Sequence, residues 1–105
     1  MTAAAAPALL DDLPFPERFE DEAALEDYLA TPSRDLVGDL ARIDGDLLIL
    51  GVGGKMGPTL ARLARNAMPP ERRVIAVARF SEAGVRESLQ AHGLSVRARL
   101  DRLND

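Results

Sequence analysis

The 105-residue chain contains no cysteine and no tryptophan, and it has one histidine, one tyrosine and one lysine. Without cysteine there are no disulfides and no thiolate metal sites, a composition compatible with a reducing cytosol. A single histidine, His92, among scattered carboxylates offers no metal-ligand spacing, which leaves a metal hydrolase without support. No apolar run approaches the ~20 residues of a membrane span. The alanine-rich start, residues 2–9, lacks a basic n-region and a long apolar core, so it does not read as a secretory signal. These absences point to a cytoplasmic chain that binds no membrane. They also speak against nucleic acid, because no aromatic residues interleave the arginines.

What is present fits one small domain with a core, since 47% of the residues are hydrophobic. The net charge of −4 conceals an asymmetry. Residues 1–46 hold twelve acidic and three basic side chains, a balance of −9. From Leu47 onward five acidic face ten basic, a balance of +5, so the second half is the one suited to an anionic ligand.

That half is organised around Leu47-Leu-Ile-Leu-Gly-Val-Gly-Gly-Lys-Met-Gly57. Four apolar residues run into a glycine cluster, and a helical stretch follows over residues 58–67. A short, wholly apolar run bounded by turn residues predicts a strand buried on both faces, as in a parallel sheet. Gly51, Gly54 and Gly57 stand at G-x-x-G-x-x-G spacing. The mechanical reading is a dinucleotide-binding turn, in which the first glycine bends, the second admits a pyrophosphate and the third lets helix meet strand. Free N–H groups and the helix dipole would hold the phosphates, and Pro58 suits the first helical turn. A second strand at residues 73–78 completes a β-α-β unit. The alternative is a structural strand-to-helix turn. A Walker-type phosphate loop is excluded, because Ile49 stands where its first glycine belongs and Met56 where it needs Ser or Thr.

Before this unit, residues 1–16 read as an irregular leader broken by Pro7, Pro14 and Pro16, its end pinned to the core by Leu13 and Phe15. Residues 17–45 read as a helical extension. Its first helix, 21–30, turns Leu25, Tyr28 and Leu29 to one face. Its second begins with Thr31 as N-cap and Pro32 at the first helical position, carries Leu36, Val37, Leu40 and Ile43, and ends at a Gly45 cap. Covering a face or edge of the sheet is the plain role for both. After the glycine turn, Leu60, Leu63, Ala64 and Ala67 point inward and Arg62 and Arg65 form a solvated face. Ser81 then caps a further helix that closes at His92-Gly93, and residues 94–100 alternate as a third strand.

The stretch from Leu47 to Asp105 resembles the start of an extended short-chain dehydrogenase/reductase of the NAD-dependent epimerase/dehydratase family. Gly51, Gly54 and Gly57, the β-α-β frame and the polar turn Arg79-Phe-Ser81 carry the resemblance, with Asp101 matching loosely. The run Gly-Gly-Lys-Met-Gly-Pro-Thr-Leu-Ala looks like a subgroup of bacterial epimerases with a helical N-terminal extension. The resemblance implies the N-terminal portion of a Rossmann-type parallel sheet, three strands in order 3-2-1, over residues 46–105. It implies NADP or NAD held at Gly51, Gly53, Gly54, Lys55, Met56 and Gly57. Arg79 and Ser81 would meet the adenosine ribose, and Asp101 would approach the adenine. A small-molecule substrate, a nucleotide sugar among the options, would belong to the parent enzyme.

The family's catalytic Tyr-x-x-x-Lys is missing. Tyr28 lies upstream of the turn with Pro32 four residues on, and Lys55 is inside the turn. No residue here is assigned to catalysis. With three of about seven strands, residues 47–50 would be left as an apolar edge open to self-association, so the chain reads as an N-terminal fragment of a larger enzyme. Two functions stay open: a cofactor-binding part of an epimerase, dehydratase or reductase, and a non-catalytic interaction or regulatory module with a structural glycine turn. Within the first, the position about twenty residues past Gly57, where NAD sites carry an acid, falls at Ala78 or Arg79. A cation there favours NADP.

Overall fold

The computed structural model describes residues 9–52, 56–79 and 84–98. Within them the chain is α/β. Helices α1 (Glu22–Leu29) and α2 (Arg34–Ala41) precede a strand-helix alternation of β1 (Leu47–Leu50), α3 (Gly57–Ala67), β2 (Val74–Val77), α4 (Val85–Ala91) and β3 (Ser95–Arg97). The three strands are all parallel and lie in the order β1-β2-β3.

The register aligns Leu47 with Val74, Ile49 with Ala76, and Ala76 with Val96, so these residues share one face. Helices α3 and α4 both pack on that face, against β2 and β3 and against each other. The core forms between them from Ala61, Ala64, Val74, Leu89, Leu94 and Val96, among others. Alanine at positions 61, 64 and 67 leaves α3 without bulk on its inner side, which lets it lie close to the strands. Leu60, expected inward, is exposed, and Ala61 takes the buried place.

Burial on both faces holds for β2, whose four residues are all buried, but not for β1. Leu47 and Ile49 turn to the core, while Leu48 and Leu50 are 38% and 61% exposed. The reason is topological. β1 is an edge strand, and the helices that pack on the sheet lie on one side of it. A run of four apolar residues cannot by itself tell a central strand from an edge.

Local chemistry explains where the helices start and stop. Asp21 caps α1 by accepting from the Ala24 N–H at 2.8 Å. Ser33, rather than Thr31, caps α2, accepting from the Leu36 N–H at 3.1 Å. A second acceptor comes from the leader, where Asp11 takes the Arg34 N–H at 2.7 Å. That bond holds the Asp11 carboxyl below the usual carboxylate range. Thr31 instead donates its hydroxyl to the Asp27 carbonyl at 2.7 Å, closing α1. Helix α2 ends at Ala41 with Arg42 as its C-cap, before Gly45, which takes φ +134° in the turn into β1.

The end of α4 follows the expected pattern. Gly93 at φ +90° lets its own N–H reach the Gln90 carbonyl and the Leu94 N–H reach the Leu89 carbonyl. Leu89 and Leu94 are both buried there. His92 sits at this cap with Nδ1 2.7 Å from the Ser88 carbonyl, a structural place. The start of α4 follows Gly84, and the expected cap Ser81 lies outside the described residues, as do residues 99–100 of the expected third strand.

The N-terminal helices make their main contacts with α3, and Leu40 of α2 reaches past it to the core cluster. This contact corrects the expectation for the arginines of α3. Arg62 is 15% exposed and donates to Asp27 on α1 at 2.8 Å. Arg65 folds back to donate to the carbonyls of Arg72 at 2.6 Å and Pro69 at 2.8 Å, closing the turn after the helix. Asn66 donates to the Ala30 carbonyl at 2.9 Å, and Ala30 is fully buried. The α1 face is also turned from expectation: Tyr28 is half-buried against Phe19, ring centroids 5.3 Å apart, while Leu25 and Leu29 look outward. Phe15, expected as an anchor, is exposed, whereas Leu13 is half-buried. Ile43 is exposed as well.

Candidate functional site

The glycine turn leaves the carboxyl end of β1, and the structure describes both of its flanks. Gly51 has φ +73°, the left-handed region that a side chain rarely adopts. There the chain breaks from the strand direction while its N–H still donates to the Val77 carbonyl at 2.7 Å. The next residue, Val52, is fully buried and donates to the same carbonyl at 3.3 Å. The turn is thereby fixed to the end of β2 and plugged into the core by one side chain.

At the far flank, Gly57 opens α3 directly against Val52. A Cβ built on Gly57 would overlap the Val52 carbonyl oxygen and stand 2.5 and 2.7 Å from its carbonyl carbon and Cα. The absent side chain is what lets the helix begin at this distance from the strand end. Gly51 and Gly57 therefore each meet a different physical requirement, one of backbone angle and one of space. Met56 is the N-cap position, exposed and with no side-chain acceptor to offer the first turn. Gly53, Gly54 and Lys55 lie outside the described residues.

The electrostatics of this end suit an anion. Helix α3 starts with Gly57-Pro58-Thr59, carries no acid in its first turn and receives no side-chain cap. Its dipole and first N–H groups are left without a counter-charge among the described residues. Arg79, two residues past the end of β2, is exposed, and it has no hydrogen bond or ion pair among the described residues. The bond from Gly51 to Val77 brings the start of the turn and the approach to Arg79 to the same end of the sheet. β3 ends beside them, with the Ala78 N–H donating to the Arg97 carbonyl at 3.3 Å. Ser81 and Asp101 lie outside the described residues.

The opposite, amino end of the sheet is closed by structure. Asp46 accepts from both the Arg73 N–H at 2.8 Å and the Arg73 Nε at 2.9 Å, while the Leu47 N–H donates to the Arg73 carbonyl. These bonds, the backbone one first, hold the Asp46 carboxyl below its usual range. A concavity of about 670 Å³ also lies away from the glycine turn. Val37, Ala41, Met68 and Pro69 line it, with Arg65 and Asn66. Both of those polar side chains already donate to backbone carbonyls, and His92, which lines it too, has its Nδ1 at the Ser88 carbonyl. Sequence reasoning gave no signal for this cavity.

Tyr28 meets Phe19 with the two rings tilted by 56° in the N-terminal layer. No group of three or more His, Asp or Glu side chains among the described residues could hold a metal. No helix among them is long and apolar enough to cross a membrane. Set beside known families, characterised proteins and solved structures, the chain matches none of them.

Proposed function

We propose that this chain is the NAD(P)-binding part of an epimerase-, dehydratase- or reductase-like enzyme, a Rossmann-type half-sheet with its cofactor at the glycine turn. One observation carries the reading. At the two ends of a G-x-x-G-x-x-G run, between a parallel strand and a helix, Gly51 occupies a left-handed backbone angle and Gly57 a space that excludes Cβ. A turn built only to connect strand to helix needs the first of these, but it has no need for a helix start pressed on the strand end. The uncapped, acid-free first turn of α3 supplies donors and positive potential where a pyrophosphate would lie.

In this reading the backbone of Gly51, Gly53, Gly54, Lys55, Met56 and Gly57 binds and orients the pyrophosphate. Arg79 and Ser81 flank the adenosine ribose, and Asp101 approaches the adenine. The bound dinucleotide would supply hydride transfer, and the groups that move substrate protons belong to residues beyond those assigned here. The interaction-module alternative draws on the acidic helices α1 and α2. Their packing on α3, with Asp27 joined to Arg62, gives them a structural occupation instead.

The cofactor is NADP in preference to NAD. Arg79 presents a planar donor fork, and a charge-assisted hydrogen bond to a 2′-phosphate is worth roughly 1.5–3 kcal/mol, on the order of a 10- to 150-fold preference. Titrating the chain with both dinucleotides, before and after Arg79→Ala, tests this. The expected result is tighter NADP binding that falls to the NAD level in the variant. Equal affinities in the unmutated chain, or a variant that weakens both alike, would contradict it.

A further inference from the structure

The turn that carries the chain from α2 into β1 holds the sequence's one Asp-Gly pair, Asp44-Gly45, and no Asn-Gly pair occurs. Both sides of the turn are fastened. Before it, the N–H groups of Arg42 and Ile43 close α2 on the carbonyls of Asp39 and Leu40, at 3.2 and 3.1 Å. After it, Asp46 holds the Arg73 N–H and Nε, and Leu47 donates to the Arg73 carbonyl at 2.9 Å. Between these fastenings the turn is loose. The Asp44 side chain is fully exposed, and a Cβ at Gly45 would meet nothing within 4 Å. The Gly45 N–H has no hydrogen-bond partner among the described residues. One contact restrains the Asp44 carboxyl: its Oδ1 lies 3.5 Å from Arg72 Nη2, and a pair at that distance with one partner in solvent contributes little.

We propose that Asp44 is a site of spontaneous isoaspartate formation, and that the change releases the amino end of β1 from β2. The chemistry needs only this turn and water. The Gly45 nitrogen attacks Cγ of the protonated Asp44 carboxyl. A C–N bond forms, a C–O bond breaks, and the hydroxyl leaves with the amide proton as water. The product is a five-membered imide. Water then adds to the imide carbonyl that was the main-chain carbon of Asp44, and the bond from that carbon to nitrogen breaks. The chain now runs through Cβ and Cγ, and the former main-chain carbon is a free carboxylate. Nothing is oxidised or reduced, and the composition of the chain is unchanged.

Asp46, two residues on, is the internal contrast. Its carboxylate is occupied by Arg73, the N–H that follows it is bonded in the sheet, and the leucine side chain of that next residue hinders ring closure. At Gly45 no Cβ stands in the way, and φ +134° belongs to the range that glycine crosses without steric cost. The isomerised chain is longer by one bond, about 1.5 Å, or roughly half the rise of a strand residue. Half a residue cannot be absorbed as a shift of register. The added length therefore falls on Asp46, whose place is defined by its two bonds to Arg73.

Ageing the full chain in warm neutral buffer, below its melting temperature, tests the inference. Isoaspartate is counted by enzymatic transfer of a methyl group from S-adenosylmethionine to its free carboxylate, and it is placed in the sequence by electron-transfer fragmentation. Accumulation at Asp44 and not at Asp46 is expected. Hydrogen exchange then reads the consequence. In the aged fraction, amide protection at Leu47 and Arg73 should fall on the order of tenfold, the net contribution of about one hydrogen bond, while the Leu94 N–H at the α4 cap keeps its protection. Asp44→Glu keeps the charge beside Arg72 but disfavours the five-membered ring, so the variant aged in parallel should retain protection at all three amides. No isoaspartate at Asp44, equal amounts at Asp46, protection at Leu47 and Arg73 unchanged in the aged fraction, or the same loss in aged Asp44→Glu would each overturn the inference.

Discussion

Replacing Gly57 by alanine is expected to lower the melting temperature of the chain by roughly 15 °C, from a loss of about 3 kcal/mol. The added methyl group meets the carbonyl carbon, carbonyl oxygen and Cα of Val52, all backbone, so no side-chain rotation can relieve the overlap. Val52 cannot retreat either, because its side chain is fully buried in the core and its N–H is held by the Val77 carbonyl. Relief requires α3 to move off the strand end, which loosens the packing of Ala61 and Ala64 as well. The internal comparison is Gly38→Ala in α2, where a Cβ meets nothing within 4 Å. Alanine there should stabilise by about 0.5–1 kcal/mol through helix propensity. If thermal melts show both changes to be neutral, the close approach at Gly57 is not present in solution.

Deleting residues 1–44 is expected to abolish cooperative unfolding of what remains. Helices α1 and α2 pack on α3, and Ala30 and Pro32 are fully buried in that layer while Leu40 reaches the core cluster. Removing them re-exposes the outer side of α3, at a loss on the order of 4 kcal/mol if two to three large side chains' worth of burial is undone. A domain of this size has little more than that in hand. The deletion also strips Arg62 of Asp27, leaving a side chain that was 15% exposed without its ion-pair partner. Asn66 loses the Ala30 carbonyl as well. A truncated chain with an unchanged melt would mean that these helices exist for a partner and not for the fold.

The parts legible in the sequence were those in which local chemistry dictates geometry. The strand-helix-strand alternation over residues 47–78 is written in the switch between a short apolar run and a helical pattern, and the structure has β1, α3 and β2 there. The Gly93 cap was legible because a helix followed by His-Gly has a single common way to end. What was not legible depended on which side of the sheet the next element falls. Leu48 and Leu50 have the same residue type as Leu47, and only the placement of α3 and α4 on one face separates exposed from buried.

The arginines of α3 depart from the expected solvated face for a related reason. Arg62 and Arg65 occupy positions that a helical wheel turns outward, but outward from the sheet is toward α1 or over the turn that follows α3. A second layer of helices converts a solvated face into an interior one, and long amphipathic side chains adapt to that where leucine would not. The capping of α2 was likewise split between Ser33, one residue beyond the proline, and Asp11, 23 residues upstream of the N–H it accepts. No periodicity reports a cap supplied from so far along the chain. In the glycine turn, spacing pointed to the positions, and the structure supplied distinct physical reasons for Gly51 and Gly57.

The proposed function requires that the glycine turn bind a dinucleotide. The direct measurement is an equilibrium titration of the full chain with NADPH, followed by nicotinamide fluorescence, in parallel with Gly54→Val. Saturable binding at one site per chain, lost in the variant while the melt stays cooperative, is the result expected. No saturable binding, or binding that Gly54→Val leaves unchanged, would contradict the central claim and leave the turn as a structural connection between β1 and α3.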